Sequence, residues 1–152
     1  MSFSPSPALF TGLHPGKLDE KNRVTIPASW RSDDLERQRY LAVFHPAVGA
    51  VIVFPPSMVE RIASAASQVT ISDPAKVDAL AALGENSVEV SADKAGRITL
   101  NERIVAQANL GRDIAFSGAF TTFQIRGQQP PRPDRDSPQT RAILEALRQL
   151  GL

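Results

Sequence analysis

One segment of the chain occurs twice. From Gly16 the sequence runs G-K-L-D-E-K-N-R-V-T-I-P, and from Val90 it runs V-S-A-D-K-A-G-R-I-T-L-N. The two align without gaps at a constant offset of 74 positions, pairing Asp19 with Asp93, Asn22 with Gly96, Arg23 with Arg97, Val24 with Ile98, Thr25 with Thr99 and Ile26 with Leu100. The downstream order repeats as well. Each copy passes through a helix-like stretch into apolar segments, L-A-V-F-H-P-A-V-G-A-V-I-V-F after Tyr40 and D-I-A-F-S-G-A-F-T-T-F-Q-I after Arg112. Chance matches between short turns do not carry their flanking order with them, so the repeat points to half-chain duplication. With 152 residues in all, the copies are too small to be ordinary separate domains and are expected to share a core.

The centre of each copy, D-x-x-[N/G]-R, is a turn with its own chemistry. Asp at the first position of a type I turn accepts hydrogen bonds from the turn amides, and the fourth position calls for a left-handed backbone. Gly96 adopts that conformation freely, and Asn22 is one of the few other residue types that tolerate it. A polar-tending strand precedes each turn. Alternation around Val24 and Ile26, or Ile98 and Leu100, marks a half-buried returning strand. The motif therefore reads as a β-hairpin.

Pro27 ends the first returning strand, and Ala28 to Arg37 is expected to form a short helix carrying Trp30 and Leu35 inward, with Ser29 or Ser32 near its start. In the second copy Asn101 caps a helix from Glu102 to about Ala108, with Ile104, Val105 and Ala108 inward and Asn109 or Gly111 at its end. Between the copies, Met58, Val59, Ile62 and Ala65 recur at helical spacing over Pro56 to Gln68. Asp73 caps a further helix through Leu83, with Val77 and Leu80 on one face. These helices are expected to pack over the first β unit. Beyond Arg126, G-Q-Q-P-P-R-P-D-R-D reads as an extended linker. Ser137 then caps a terminal helix whose Ile143, Leu144, Leu147 and Leu150 form an apolar stripe, expected to dock within the oligomer.

Several function classes fare poorly. The chain has no cysteine and two histidines, which excludes disulfides and thiolate zinc sites and leaves His14 and His45 as isolated imidazoles with structural roles. Met58 in its apolar helical stripe reads as core filling. Phe44, Phe54, Phe116, Phe120 and Phe123 fall in strand-like segments and read as core. Asp19 and Asp93 are each explained by a turn, so an acid/base pair is not needed and no catalysis, metal, cofactor or small-molecule substrate is expected. The N-terminus lacks a basic start followed by a long apolar run, and no segment is apolar enough to span a membrane, so a cytoplasmic address without membrane association is expected.

The segment F-T-G-L-H-P-G-K-L-D-E-K-N-R-V-T-I-P-A-S-W-R, from Phe10 to Arg31, resembles the opening of the MraZ family of bacterial transcriptional regulators. That family carries two SpoVT/AbrB-type swapped-hairpin units, each marked by a D-x-x-x-R signature, and here the signatures fall at Asp19–Arg23 and Asp93–Arg97. The resemblance spans Leu9 to Arg126. It departs from the family pattern at Asn22, where glycine is usual, at Trp30, where a smaller aromatic is common, and at Asn101, where a proline would follow the strand. The resemblance implies a mainly β, α+β fold: a duplicated swapped-hairpin, double-split β-barrel pseudo-dimer with covering helices. It also implies a nucleoid-associated, ring-like homo-oligomer that recognises repeated promoter elements in double-stranded DNA and represses a division and cell-wall gene cluster, its own promoter included. The expected divisions are 9–84 for the first unit and two linking helices, 85–127 for the second unit, and 128–152 for the linker and terminal helix.

The candidate DNA contacts are Lys17, Lys21, Arg23, Arg31, Lys94 and Arg97, with Asp19, Asn22, Asp93 and Gly96 shaping the turns. If turn amides occupy the two carboxylates, the cations dominate outward. Lys21 and Lys94 suit phosphates as mobile point charges, and the planar forks of Arg23 and Arg97 suit base or phosphate contacts, with Arg31 accessory. The alternative for Arg23 and Arg97 is a local ion pair with Asp19 and Asp93 that holds the turn or a subunit interface. A formal net charge of only +1 means that affinity has to come from local arrangement and from repetition around an oligomer, where effective concentration raises avidity roughly 10²–10⁴-fold. The rival to a DNA-binding regulator is an oligomeric scaffold of antitoxin-like ancestry that keeps the turns for assembly and uses the terminal helix to hold a partner.

Overall fold

The computed structural model describes residues 9–31 and 39–152. Each copied segment supplies a strand before its turn and a short strand after it: β1 (Leu13–Lys17) and β2 (Arg23–Thr25) in the first copy, β5 (Ser87–Ser91) and β6 (Arg97–Thr99) in the second. The apolar segments give β3 (Arg39–His45) and β4 (Ala50–Phe54), then β7 (Asp113–Gly118) and β8 (Phe123–Gly127). Helices α1 (Pro56–Ser67), α2 (Pro74–Glu85), α3 (Glu102–Gln107) and α4 (Pro138–Gln149) complete the α+β fold. The expectation of a mainly β chain gives way here, because among the described residues the helices hold about as many residues as the strands.

The strands form a six-stranded antiparallel sheet in the order β1-β7-β8-β4-β3-β5 and a two-stranded ladder of β2 with β6. The halves are interleaved: β1 pairs with β7 and β5 with β3. A shift of 74 positions turns the first register, Leu13↔Ser117 through Lys17↔Asp113, into the second, Ser87↔Val43 through Ser91↔Arg39. In the small ladder Val24 lies opposite Ile98, its own copy. A pseudo-twofold axis therefore passes between these two residues.

This arrangement corrects the simple hairpin. The arms of each turn do not pair along their length: β1 goes to the large sheet and β2 to its own copy, leaving a single bridge between Leu18 and Val24 in the first turn. The physical reason lies in burial. Val24, Ile26, Ile98 and Leu100 are all essentially inaccessible, and one two-stranded ladder across the axis seals all four against the inner face of the large sheet, beside Tyr40, Phe116, Phe123 and Ile125.

Helix signals hold at three starts. Asn101 accepts from the Ile104 amide at 2.8 Å, Asp73 from the Ala75 amide at 3.1 Å, and Ser137 from the Thr140 amide at 3.1 Å. After Pro27 the outcome differs. A single 3-10 turn, Ala28–Trp30, is followed by an extended Arg31, because Pro27 offers no side-chain cap and Trp30 is anchored by its indole N–H on the Thr11 carbonyl at 3.2 Å and by Phe123 at 5.1 Å between centroids. The expected burial of Leu35 lies outside the described residues.

The outer face of β3 and β4 carries a second core, in which Val43 and Phe54 meet Ala79 and Leu83 of α2, Ile143 and Ala146 of α4, and Leu150 at the end of α4. The linking helices thus cover the first β unit as expected, but their faces are rotated. Val77 is solvent-facing and Ala79 with Leu83 is buried, since α2 packs against α4 as well as the sheet. In α4 the buried positions are Thr140, Ile143 and Ala146, with Leu150 buried just past its end, and Leu144 borders a cleft. The terminal helix docks on its own chain. Four of the five phenylalanines expected inside are buried, and Phe120 is not: it stands at φ 66° beyond the end of β7, where its backbone bridges Phe10 and its ring is exposed.

Candidate nucleic-acid interface

The two turns have the same internal geometry. In the first, the Asn22 amide donates to the Asp19 carbonyl at 3.0 Å and the Asp19 amide to the Arg23 carbonyl at 3.0 Å. In the second, the corresponding Gly96–Asp93 and Asp93–Arg97 bonds are both 2.9 Å. Asn22 stands at φ 60° and Gly96 at φ 79°, the left-handed backbone that the fourth position requires.

Each aspartate is consumed within its turn. Asp19 Oδ1 accepts from the Lys21 and Arg23 amides at 2.9 and 2.8 Å, and Oδ2 accepts from Arg23 Nε at 2.7 Å. Asp93 Oδ1 accepts from the Ala95 and Arg97 amides, both at 2.9 Å, and Oδ2 from Arg97 Nε at 2.7 Å. The amide bond from the residue four positions on is the main cause holding both carboxyls below their ordinary range, so both are charged at neutral pH. The local ion pair weighed for Arg23 and Arg97 is present. It engages Nε and leaves the two terminal amino groups of each fork outside the pair.

The remaining cations are distributed unevenly. Lys21 and Lys94 are exposed on the tips. Lys17 sits at the end of β1, ion-paired with Asp113 on the neighbouring strand. Arg31 reaches across the body to the other half's turn: its Nε donates to the Ile26 carbonyl at 2.8 Å, and its guanidinium lies over Gly96.

An open cleft of about 650 Å³ flanks the first turn, lined by Lys17, Lys21, Arg23, Val105 and Arg112 among others. Arg112 escaped the sequence reading because it lies 89 positions from Arg23. It arrives there through the Leu18 amide, which donates to the Arg112 carbonyl at 2.8 Å. Its only signal was the repeat itself, which places it just ahead of β7.

No protein-family model matches the chain. Individual proteins do. It is 34% identical over 117 residues to the transcriptional regulator MraZ of Mycobacterium leprae (strain Br4923), covering 77% of this chain and 80% of that protein. The identity is 31% over 146 residues to the transcriptional regulator MraZ of Gluconobacter oxydans (strain 621H), covering 89% and 85%. The chain belongs to the MraZ family.

Among the described residues of this MraZ-family chain, no helix is long and apolar enough to cross a membrane. His14 packs edge-on against Trp30 at 4.9 Å between centroids. Burial lowers the pKa of His45, which keeps its imidazole neutral at the edge of the second core.

Proposed function

We propose that this chain is a sequence-specific DNA-binding transcriptional regulator, a repressor of a division and cell-wall gene cluster that includes its own promoter, and that the two D-x-x-[N/G]-R turns are its contacts with DNA. The observation that carries this reading is the internal saturation of Asp19 and Asp93. With both carboxylates occupied by backbone amides and an arginine Nε, each tip offers outward an exposed lysine and the terminal amino groups of an arginine. A tip of this kind suits phosphates, whose charge dominates affinity for duplex DNA. The names of the MraZ relatives, transcriptional regulators, support the same assignment.

Within this proposal, Lys21, Lys94 and Arg31 contact phosphates and Arg23 and Arg97 keep the tips in shape while offering their free amino groups to bases or phosphates. Lys17, tied to Asp113, contributes less. The interleaved halves, 9–84 and 85–127, form a swapped-hairpin barrel with pseudo-twofold symmetry, and 128–152 adds the linker and helix that cover the second core. One pair of tips binds weakly, so the working species is a ring-like homo-oligomer spanning repeated promoter elements. The protein acts in the cytoplasm at the nucleoid.

The test is titration of duplex DNA from upstream of the protein's own reading frame with the full chain and with its Arg23→Ala, Arg97→Ala double variant, at two salt concentrations and with the mass of the complex measured. Salt-sensitive binding by an oligomer, weakened in the variant, supports the proposal. Unchanged affinity and salt slope in the variant reject the role of the turns.

A further inference from the structure

The two tips are copies in backbone but not in surroundings. At the position equivalent to Arg31 the second copy has Val105, and Val105 borders the cleft beside Asn22. Across the axis, Arg31 lies over Gly96. A Cβ placed on Gly96 would stand 2.6 Å from Arg31 Cζ and 2.7 Å from its Cδ, nearer than atoms can pack. The two asymmetries therefore go together: the turn with a side chain at its fourth position faces a valine, and the turn without one receives a guanidinium.

Left-handed backbone alone does not demand glycine here, since Asn22 holds φ 60° in an otherwise identical turn. What glycine adds at position 96 is room. That room lets the first half deliver a cation to the second half's tip, beside Lys94 and Arg97. The cation arrives oriented, because Nε is fixed on the Ile26 carbonyl at 2.8 Å, and the Ile26 amide in turn donates to the Gly96 carbonyl at 2.9 Å. A guanidinium fixed through Nε still presents its terminal amino groups, the geometry that suits a phosphate oxygen pair.

We infer that Gly96 is a positioning residue for DNA binding: by leaving its Cβ space empty it seats Arg31 as a preorganised phosphate contact of the second tip, which makes the two tips unequal. This rests on the DNA-binding reading above and goes beyond it by tying one residue's function to another's missing side chain. Arg31 belongs to one half and serves the turn of the other, so the second tip is complete only when the halves are interleaved.

The experiment uses the full chain and upstream duplex DNA at two salt concentrations, comparing wild type with Arg31→Gln, Gly96→Asn and the double variant. Asparagine keeps the left-handed turn but fills the space under the guanidinium, whose flexible arm can swing away, so Gly96→Asn should stay folded by circular dichroism. The loss expected for Arg31→Gln is roughly fivefold or more in affinity, with a salt slope lower by about 0.9 for each phosphate that Arg31 neutralises in wild type. Gly96→Asn should reproduce both effects, and the double variant should be no weaker than either single. The Arg31 Nε–H resonance, protected from exchange in wild type, should lose its protection in Gly96→Asn. Wild-type affinity and slope in Arg31→Gln would overturn this inference while leaving the DNA-binding reading intact, as would a normal slope in a folded Gly96→Asn. A wild type that binds no duplex would overturn both.

Discussion

Val24 faces Ile98 directly across the β2–β6 ladder, and the two occupy the same position of the copied segment. Both are essentially inaccessible to solvent. A residue paired with its own copy can exist only on a symmetry axis, so this contact ties the duplication in the sequence to the geometry of the body.

Substitutions at the axis should be costly and coupled. Ile98→Ala is expected to destabilise by about 2–5 kcal/mol, and Val24→Ala by less because it removes fewer atoms. As direct neighbours the two should depart from additivity by about 0.5–3 kcal/mol. Chemical denaturation of the singles and the double measures this, and strict additivity would place the two side chains apart.

The fourth turn position separates backbone need from side-chain need. Asn22→Gly should change stability by less than about 1 kcal/mol, because glycine relaxes the folded turn while loosening the unfolded chain. Asn22→Val should cost about 1–2 kcal/mol by forcing a β-branched residue to φ 60°. Equal melting temperatures for Asn22→Val and wild type would contradict the left-handed turn.

Acid should loosen the tips in a defined window. Asp19 and Asp93 have folded pKa values held below the ordinary carboxyl value of 3.8, chiefly by the amides of Arg23 and Arg97. A depressed folded pKa means that the stabilisation is complete above the unfolded value and is lost as pH falls through the folded one. Asp113 and Asp134 titrate in the same direction and share that window, so the Asp19→Asn, Asp93→Asn double variant isolates the turns. It should melt below wild type at pH 7, and the gap should close as pH falls below the ordinary carboxyl value. A gap that persists unchanged in acid would show that the charge is not what matters.

Much of this molecule could be read from its sequence, and what could not was set by distant partners. The turns were legible because Asp19, Asn22, Asp93 and Gly96 act within five residues of backbone, and the caps at Asp73, Asn101 and Ser137 are equally local. The destinations of β1 and β2 were not legible in the local pattern: a hairpin and an exchanged pair of arms have the same alternation, and apart from the family resemblance, which implied exchange, only burial at the Val24–Ile98 axis chooses between them. Val77 faces outward because α2 packs on α4, about 60 residues further along the chain. Arg112 and the seat of Arg31 over Gly96 depend on the interleaving of halves, which no local pattern encodes.

The terminal helix should matter for stability and not for DNA. Ile143 is buried against Val43, Phe54 and Leu83 in the second core, which lies on the opposite side of the large sheet from the β2–β6 ladder. Ile143→Ala should cost about 2–5 kcal/mol in thermal or chemical denaturation while leaving duplex affinity near wild type below the melting range. A selective loss of DNA binding would move the functional surface to this face.

The most direct test of the tips concerns Lys21 and Lys94, whose exposed ammonium groups take no part in the hydrogen bonds of the turns. Affinity of the full chain for its own upstream DNA should be measured as a function of salt for wild type and for the Lys21→Gln, Lys94→Gln double variant. Phosphate-contacting tips predict weaker binding and a salt slope shallower by about 0.9 for each phosphate left without its lysine, with the fold and the oligomer mass unchanged. Identical affinity and slope in the two proteins would contradict the claim that these turns meet DNA.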